Sequence, residues 1–224
     1  MTRRWLHLRL TAPLLSFGGV AIDHVGPTRD FPSASALTGL FANALGWRRE
    51  ERVAHQALQD RLVFGALIAR EGRLMTDNQN AKLEASDRGW TTWGRPDERA
   101  GATYDSPHRR RRDYLADHDC RVVLQLSPAP ASGSGPDVVA LAAALDRPAR
   151  PLFIGRKPCL PSSRLFAGWV EGATARDALQ ALGLPGRALW PMEGVESGSD
   201  LSDLRNWITG LHGGTRRVSE GGIA

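Results

Sequence analysis

Four consecutive arginines form the segment of this sequence with the clearest chemical potential: Arg109, Arg110, Arg111 and Arg112. Adjacent guanidinium groups repel one another, so an ordered structure keeps them together only where anions bind or where acids such as Asp105 and Asp113 lie close. Arginine binds phosphate through two parallel hydrogen bonds and also stacks on bases. The run therefore indicates a nucleic-acid contact, and a solvated charged segment is the alternative.

Aromatic residues accompany this basic segment. Trp90, Trp93 and Tyr104 precede the run, and His108 adjoins it. Basic residues interleaved with aromatic rings are typical of surfaces that bind single-stranded nucleic acid. The whole stretch 71–112 has very few aliphatic residues, so it is not a core element. It is predicted to be a functional projection or a disordered loop.

The loop that enters the first predicted helix is a second candidate site. A helix N-terminus offers unpaired N–H groups and a partial positive charge, which suit a phosphate. Four residues would add side-chain donors: Thr28, Arg29, Ser33 and Ser35. Ser33 also fits a helix N-cap, so capping alone is the alternative. A third, weaker candidate is Gly155 followed by the cations Arg156 and Lys157, because glycine lets the backbone approach a ligand.

Evidence for catalysis in the sequence is thin. It has no histidine pair with metal-ligand spacing, no nucleophile elbow and no glycine-rich phosphate loop, so neither a metal nor a cofactor is predicted. His108, four residues after Tyr104, could act with it as an acid–base pair in metal-free RNA cleavage. The simpler interpretation is that both residues contact RNA or lie on the surface.

Charge is distributed unevenly along the chain. Of 224 residues, 27 are arginine and 2 are lysine; residues 1–112 hold 18 basic and 12 acidic residues, and residues 113–224 hold 11 and 12. A GC-rich genome explains arginine in place of lysine but not this asymmetry, which indicates a polyanionic partner. Cys120 and Cys159 have no metal spacing and are expected to be buried thiols. No apolar run approaches a membrane span, so a cytoplasmic protein without membrane contact is expected.

Hydrophobic periodicity predicts an α+β fold in the order β-α-β-insertion-β-α-β. This is the ferredoxin-like βαββαβ pattern of RNA-recognition modules. The predicted strands are 3–12, 62–69, 121–126 and a last region at 152–155 and 165–170. The predicted helices are one after Ser33 that ends at Gly46, and 50–59, 137–145 and 175–182. From residue 185 onward the pattern is weak, and one short helix is expected at 201–211.

Four segments, in order, resemble the CasD family of the CRISPR-associated RAMP superfamily. They are Leu8–Gly18, Pro27–Gly46, Arg112-Asp113-Tyr114-Leu115-Ala116-Asp117, similar to the family's R-x-Y-L-x-D, and Pro151–Cys159, similar to its P-x-x-x-G-R-[RK]-x-C. Together they extend over residues 5–172, and Leu165-Phe166-Ala167-Gly168 follows at the family's interval.

This resemblance implies a domain at 1–172 whose insertion at 71–112 is a projecting thumb, followed by an extension at 173–224. It implies a non-catalytic subunit of type I-E Cascade that binds the 5′ handle of the crRNA, with Tyr114 among the RNA contacts. Its expected partners are the large subunit, the backbone subunits and, indirectly, target DNA. A metal-independent endoribonuclease, as in type I-C systems, is the alternative, and a scaffold that contacts only protein is a third class.

Overall fold

The computed structural model describes residues 2–20, 23–81, 89–90, 96–97, 108–129, 135–194 and 197–224. Its helices are α1 (Ala34–Ala44), α2 (Arg52–Arg61), α3 (Val138–Asp146) and α4 (Ala175–Gln180). Its strands are β1 (Arg3–Thr11), β2 (Leu14–Leu15), β3 (Val25–Gly26), β4 (Leu62–Arg70), β5 (Arg73–Ala81), β6 (Gly89–Trp90), β7 (Pro96–Asp97), β8 (His108–Ala116), β9 (Asp119–Leu126), β10 (Phe166–Gly172), β11 (Gly186–Pro191), β12 (Ser199–Leu201) and β13 (Arg216–Ile223). The mixed α+β class predicted from the sequence is confirmed.

The main sheet is antiparallel and has the strand order β10-β1-β9-β4-β11-β13-β12. In β1 the apolar residues at alternate positions, Leu6, Leu8 and Leu10, are all buried. Successive side chains of a strand point to opposite faces of a sheet, so this period-2 pattern fixes which face of β1 meets the core. The first strand is thus where the sequence predicted it.

Helices cover both faces of this sheet. On one face, Leu37 and Phe41 of α1 pack with Leu141 of α3 in the larger core, and all three are nearly inaccessible to solvent. Burial of each such side chain stabilises the fold by about 1.5–3 kcal/mol. On the other face, Ala178 and Leu179 of α4 pack in a second cluster. The larger core lies beneath α1, the helix that borders the candidate site.

The first helix begins and ends as the sequence predicted. The Ser33 hydroxyl accepts a hydrogen bond from the Ala36 amide at 3.0 Å, as an N-cap does. Gly46 follows the helix with φ +80°, a left-handed conformation that glycine adopts without steric cost. The chain then turns through Trp47 into α2.

A second sheet is built around β8. Strand β5 pairs with β8 along nine residues, from Arg73 opposite Ala116 to Ala81 opposite His108. The short strand β2 pairs with β8 at 115–116, and β3 pairs with it at 111–112. Both ends of the low-aliphatic stretch 71–112 are therefore ordered strands. Most of its middle lies outside the described residues.

Two predicted elements are wrong. Residues 152–155 form bends rather than a strand, because Gly155 has φ +86° and lies against the Ser16 carbonyl, which stops an extended path. Residues 201–211 hold the end of β12 and an irregular segment with a turn at 207–209 rather than a helix. There the Asn206 side chain accepts a hydrogen bond from the Thr209 amide at 2.9 Å, and Gly210 has φ +81°.

The C-terminal region, which the sequence left unassigned, extends the main sheet. Strands β11, β12 and β13 continue it beyond β4, and Leu189 and Val218 join the larger core. Helix α4, predicted at 175–182, begins at a capping box between Thr174 and Asp177. No helix of the described part is long and apolar enough to cross a membrane.

Candidate nucleic-acid interface

The four arginines predicted to bind RNA lie side by side in strand β8. Arg109, Arg110 and Arg111 are exposed, and Arg112 is half-buried. Because side chains alternate along a strand, Arg109 and Arg111 belong to one face of the second sheet and Arg110 and Arg112 to the other. A strand also spaces its residues by about 3.3 Å, so the run presents a row of cations rather than a compact cluster.

Strand β5 places polar side chains opposite these arginines. Asn80 pairs with Arg109, Gln79 with Arg110, Asn78 with Arg111 and Asp77 with Arg112. Amides donate and accept hydrogen bonds, so they suit phosphates, sugars and base edges. Sequence reasoning missed this row, although the unbroken polar run at 76–80 in a predicted projection was a usable signal.

An acid does lie close to the arginine run, as the repulsion argument required. Asp113 is 7 % exposed, and it accepts hydrogen bonds from the Thr76 hydroxyl at 2.8 Å and from Arg111 Nε at 3.3 Å. Half of the Arg111 side chain remains accessible to solvent, so this ion pair contributes at most about 1 kcal/mol. Asp113 therefore orients Arg111 and offsets part of its charge.

Arg156 joins three segments of the chain. Its guanidinium donates to the Asp113 carbonyl at 2.9 Å and to the Gly26 carbonyl at 2.7 Å, and it lies over the Tyr114 ring at 4.7 Å. A methyl group on Gly26 would come within 2.6 Å of Arg112 Nη1 and 3.0 Å of Arg156 Nη2, so both guanidiniums converge on this glycine.

Three of the predicted RNA contacts, Tyr114, Arg156 and Lys157, differ in how exposed they are. Tyr114 is 5 % exposed and packs in the larger core, so it anchors β8, the strand that carries the arginines, to that core. The Arg156 guanidinium donates hydrogen bonds to two backbone carbonyls, and the same side chain also borders an open groove. Lys157 is exposed beside it.

The groove lies between α1, the Ser16–Val20 loop and residues 202–212, called the C-terminal segment below. Its volume is about 490 Å³. Four of the predicted RNA contacts line the groove, two with cationic side chains and two with hydroxyl groups: Arg29, Arg156, Ser33 and Ser35. Arg29 donates to the Ser202 carbonyl at 2.6 Å. The Thr28 hydroxyl accepts a hydrogen bond from the Phe17 amide at 3.1 Å, so Thr28 holds the Ser16–Val20 loop in place. Arg156 therefore belongs both to this groove and to the base of the arginine strand.

The N-terminus of α1 does not offer free N–H groups to a phosphate, contrary to the sequence-based expectation. The Ala34 amide donates to the Asp203 carboxylate at 3.2 Å, the Ser35 amide to the Asp203 carbonyl at 3.2 Å, and the Ala36 amide to Ser33. Asp203 comes from the C-terminal segment and also pairs with Arg216 at 2.9 Å. Anion binding in the groove therefore depends on side chains.

The C-terminal segment supplies groove residues that sequence reasoning missed: Arg205, Trp207 and His212. The pKa of His212 is lowered, first by burial and then by the charges of Arg205 and Arg29. This shift shows that cations from both ends of the chain act at one place in the groove. No periodic pattern marks these residues, and about 180 positions separate them from Arg29 in the sequence.

The aromatic part of the predicted site is only partly described. Trp90 lies in β6 and His108 begins β8, whereas Trp93 and Tyr104 lie outside the described residues. Their contact with the arginine run stays a prediction. Within the described ranges, no group of three or more His, Cys, Asp or Glu side chains is arranged to hold a metal ion.

An α+β chain with an exposed row of arginines beside a cationic groove has the features of a protein that binds nucleic acid. The model of the family described as CRISPR-associated protein (Cas_Cas5) matches residues 5–219. The chain belongs to this family, and the relationship to CasD-type proteins that the sequence motifs indicated is confirmed.

Individual relatives agree with this assignment. The chain is 27 % identical over 177 residues to the CRISPR system Cascade subunit CasD of Escherichia coli strain K12, covering 79 % of this chain and 76 % of that protein. A chain of a CRISPR RNA-guided surveillance complex superposes with a TM-score of 0.72 at 21 % identity, over 98 % of this chain and 90 % of that one. A second solved structure, described as a Cas protein, gives 0.64 at 24 % identity, over 98 % and 94 %. At these identities the two structures establish the shared fold.

Proposed function

We propose that this chain is a non-catalytic subunit of a type I-E Cascade surveillance complex that holds the 5′ handle of the guide RNA. In this role it bridges the large subunit and the backbone subunits in antiviral defence. The relationship to CasD supports the assignment to Cascade. The observation that carries RNA binding is the junction at Arg156, where the exposed arginine strand meets the cationic groove.

The strand order supports a RAMP-type domain. Strands β10, β1, β9 and β4 are, in chain order, the fourth, first, third and second long strands of the main sheet before β11. That antiparallel order is the one expected of a ferredoxin-like βαββαβ unit. Strands β5 and β8, with the segment 82–107 between them, then form the thumb of this domain.

The physical case for RNA is the excess of exposed arginine over acid. Phosphate groups are the anions that a row of guanidiniums spaced along a strand fits, because an RNA backbone repeats its charge at regular intervals. Asn78, Gln79 and Asn80, opposite the arginines, add groups that hydrogen-bond sugars and bases. The buried acid Asp113 neutralises at most one of the four charges.

RNA binding is tested by measuring how affinity depends on salt. Replacement of Arg109, Arg110 and Arg111 with Gln should lower the log–log slope by about 2, since each lost phosphate contact removes roughly 0.7 for single strands. A control variant replaces three exposed arginines elsewhere: Arg3, Arg48 and Arg147. Equal slopes for the two triple variants would contradict a specific arginine interface.

Absence of catalysis is tested with repeat RNA. Among the described residues, the Tyr114 ring is buried against the Arg156 guanidinium, which does not suit a proton donor or acceptor in RNA cleavage. Tyr104 and Lys82 lie outside the described residues. We expect purified protein without metal to leave the RNA intact. Cleavage at the handle boundary that His108→Ala abolishes would instead identify the chain as the endoribonuclease.

A further inference from the structure

A second cleft adjoins the groove and has no assigned role. It lies between the end of α1, the start of α2 and the C-terminal segment, and its volume is about 510 Å³. This volume is within the range of about 300–1,000 Å³ typical of ligand pockets. Four arginines line the cleft: Arg49, Arg52, Arg150 and Arg205. Among the described residues that line it, none is acidic.

The charge in this cleft is uncompensated. The pKa of Arg205 is lowered, first by burial and then by the charge of Arg49. Arg205 Nε is also buried without a hydrogen-bond partner in the described structure. A buried N–H without a partner destabilises a fold, whereas a bound anion would satisfy it and relieve the repulsion between the two arginines.

The arginines are held in place by the protein itself. Arg150 donates to the Gly46 and Trp47 carbonyls, both at 2.8 Å, and Arg52 donates to the Ile208 carbonyl at 3.0 Å. Arg205 lies over the Trp207 ring at 5.1 Å. These contacts fix the stems and planes of the guanidiniums without neutralising them. A ligand would therefore meet a cationic site that is already organised.

The indole of Trp207 is itself fixed from behind. Its Nε1 donates to Gln59 at 3.0 Å, and the His55 ring lies 4.7 Å from it. The Trp207 ring is therefore held in the place where Arg205 lies over it. The ligand that this cleft fits is an anionic group such as a phosphate.

The cleft and the groove are continuous. Five residues line both of them: Gly39, Asn43, Phe153, Arg205 and Trp207. A strand lying in the groove can therefore continue across α1 into the cleft.

We propose that the cleft binds a backbone phosphate of the same single-stranded RNA that occupies the groove, which makes it a separate anchor for that strand beyond the arginine strand β8. This inference rests on the proposed function, because it extends the path of the RNA. Arginine also pairs with carboxylates, but the continuity with the groove favours RNA over an acidic protein segment.

The test uses the full chain and a fluorescein-labelled single-stranded oligouridylate, with anisotropy measured over a salt series. Arg49→Gln and Arg205→Gln should each lower the log–log slope by about 0.7. Each should also weaken binding about fivefold, which corresponds to about 1 kcal/mol. Arg48→Gln is the matched control, since Arg48 is the exposed neighbour of Arg49 and does not line the cleft. Arg49 is exposed, so its variant tests the site even if Arg205→Gln unfolds.

The outcomes separate this inference from the proposed function. Unchanged binding by Arg49→Gln, with loss in the triple variant of Arg109, Arg110 and Arg111, would overturn the cleft and leave the proposed function standing. Loss in Arg49→Gln with no loss in the triple variant would support the cleft and contradict the arginine strand. Poly-L-glutamate that binds as tightly as the RNA, with the same sensitivity to Arg49→Gln, would assign the cleft to acidic protein and overturn the proposal.

Discussion

Arg156 offers the sharpest test of how the arginine strand is held. Removal of its side chain in Arg156→Ala leaves the Asp113 and Gly26 carbonyls without their donors and the Tyr114 ring without its cation. A hydrogen bond to a charged group is worth about 1.5–3 kcal/mol when buried. Arg156 is only half-buried, so the two bonds together should contribute about 2–4 kcal/mol to the free energy of unfolding.

The measurement is urea unfolding followed by circular dichroism. Lys157→Ala is the control, because it removes an exposed neighbouring cation. Arg156→Lys keeps the charge but loses the planar fork, so it should recover less than half of the lost stability. If Arg156→Ala and Lys157→Ala unfolded at the same urea concentration, the hydrogen bonds of the Arg156 guanidinium would not stabilise the fold as argued.

Four further perturbations test the packing, the ionisation and the insertion. Gly155→Ala places a methyl group 1.6 Å from the Ser16 carbonyl oxygen, so it should lower the free energy of unfolding by more than the roughly 1–3 kcal/mol of a left-handed residue. Phe41→Ala removes a fully buried ring and should lower it by about 3–5 kcal/mol. Urea unfolding measures both changes. Burial lowers the pKa of His7 from 6.5 to about 4, so the free energy of unfolding should fall as pH drops through this interval; His7→Gln should flatten the fall, and an identical pH profile would contradict it. A short Gly-Ser link in place of 82–107 should keep cooperative melting near the parent temperature but prevent entry into a guide-bound complex, and normal assembly would deny the segment a function.

The sequence predicted the parts of this fold that repeat a local pattern. Period-2 alternation located β1, and the stripe that includes Leu37 and Phe41, with Ser33 before it, located α1. Strands β11 and β13 escaped because neither has apolar residues at alternate positions, and because β11 pairs with the distant strand β4. Pairing across such distances depends on tertiary contacts that single-sequence patterns do not encode.

The site divides in the same way. The arginine run was visible because its residues are adjacent in the sequence. By contrast, Arg205 and Trp207 reach the groove only through the fold, and the use of the α1 amide groups by Asp203 had no local signal. Tyr114 was found through a family motif and Arg156 as a cation that follows Gly155, but neither signal revealed that the two side chains contact each other beside the arginine strand.

The capping of α1 by Asp203 has a consequence for the order of events during synthesis. One wall of the groove comes from residues 16–43 and the other from residues 202–212, and the ion pair between Asp203 and Arg216 fastens the second wall to β13. A nascent chain that has exposed α1 but not yet β13 therefore has the first wall without the second. Under the proposed function, RNA can therefore lie between the two walls of the groove only after the last strand has docked.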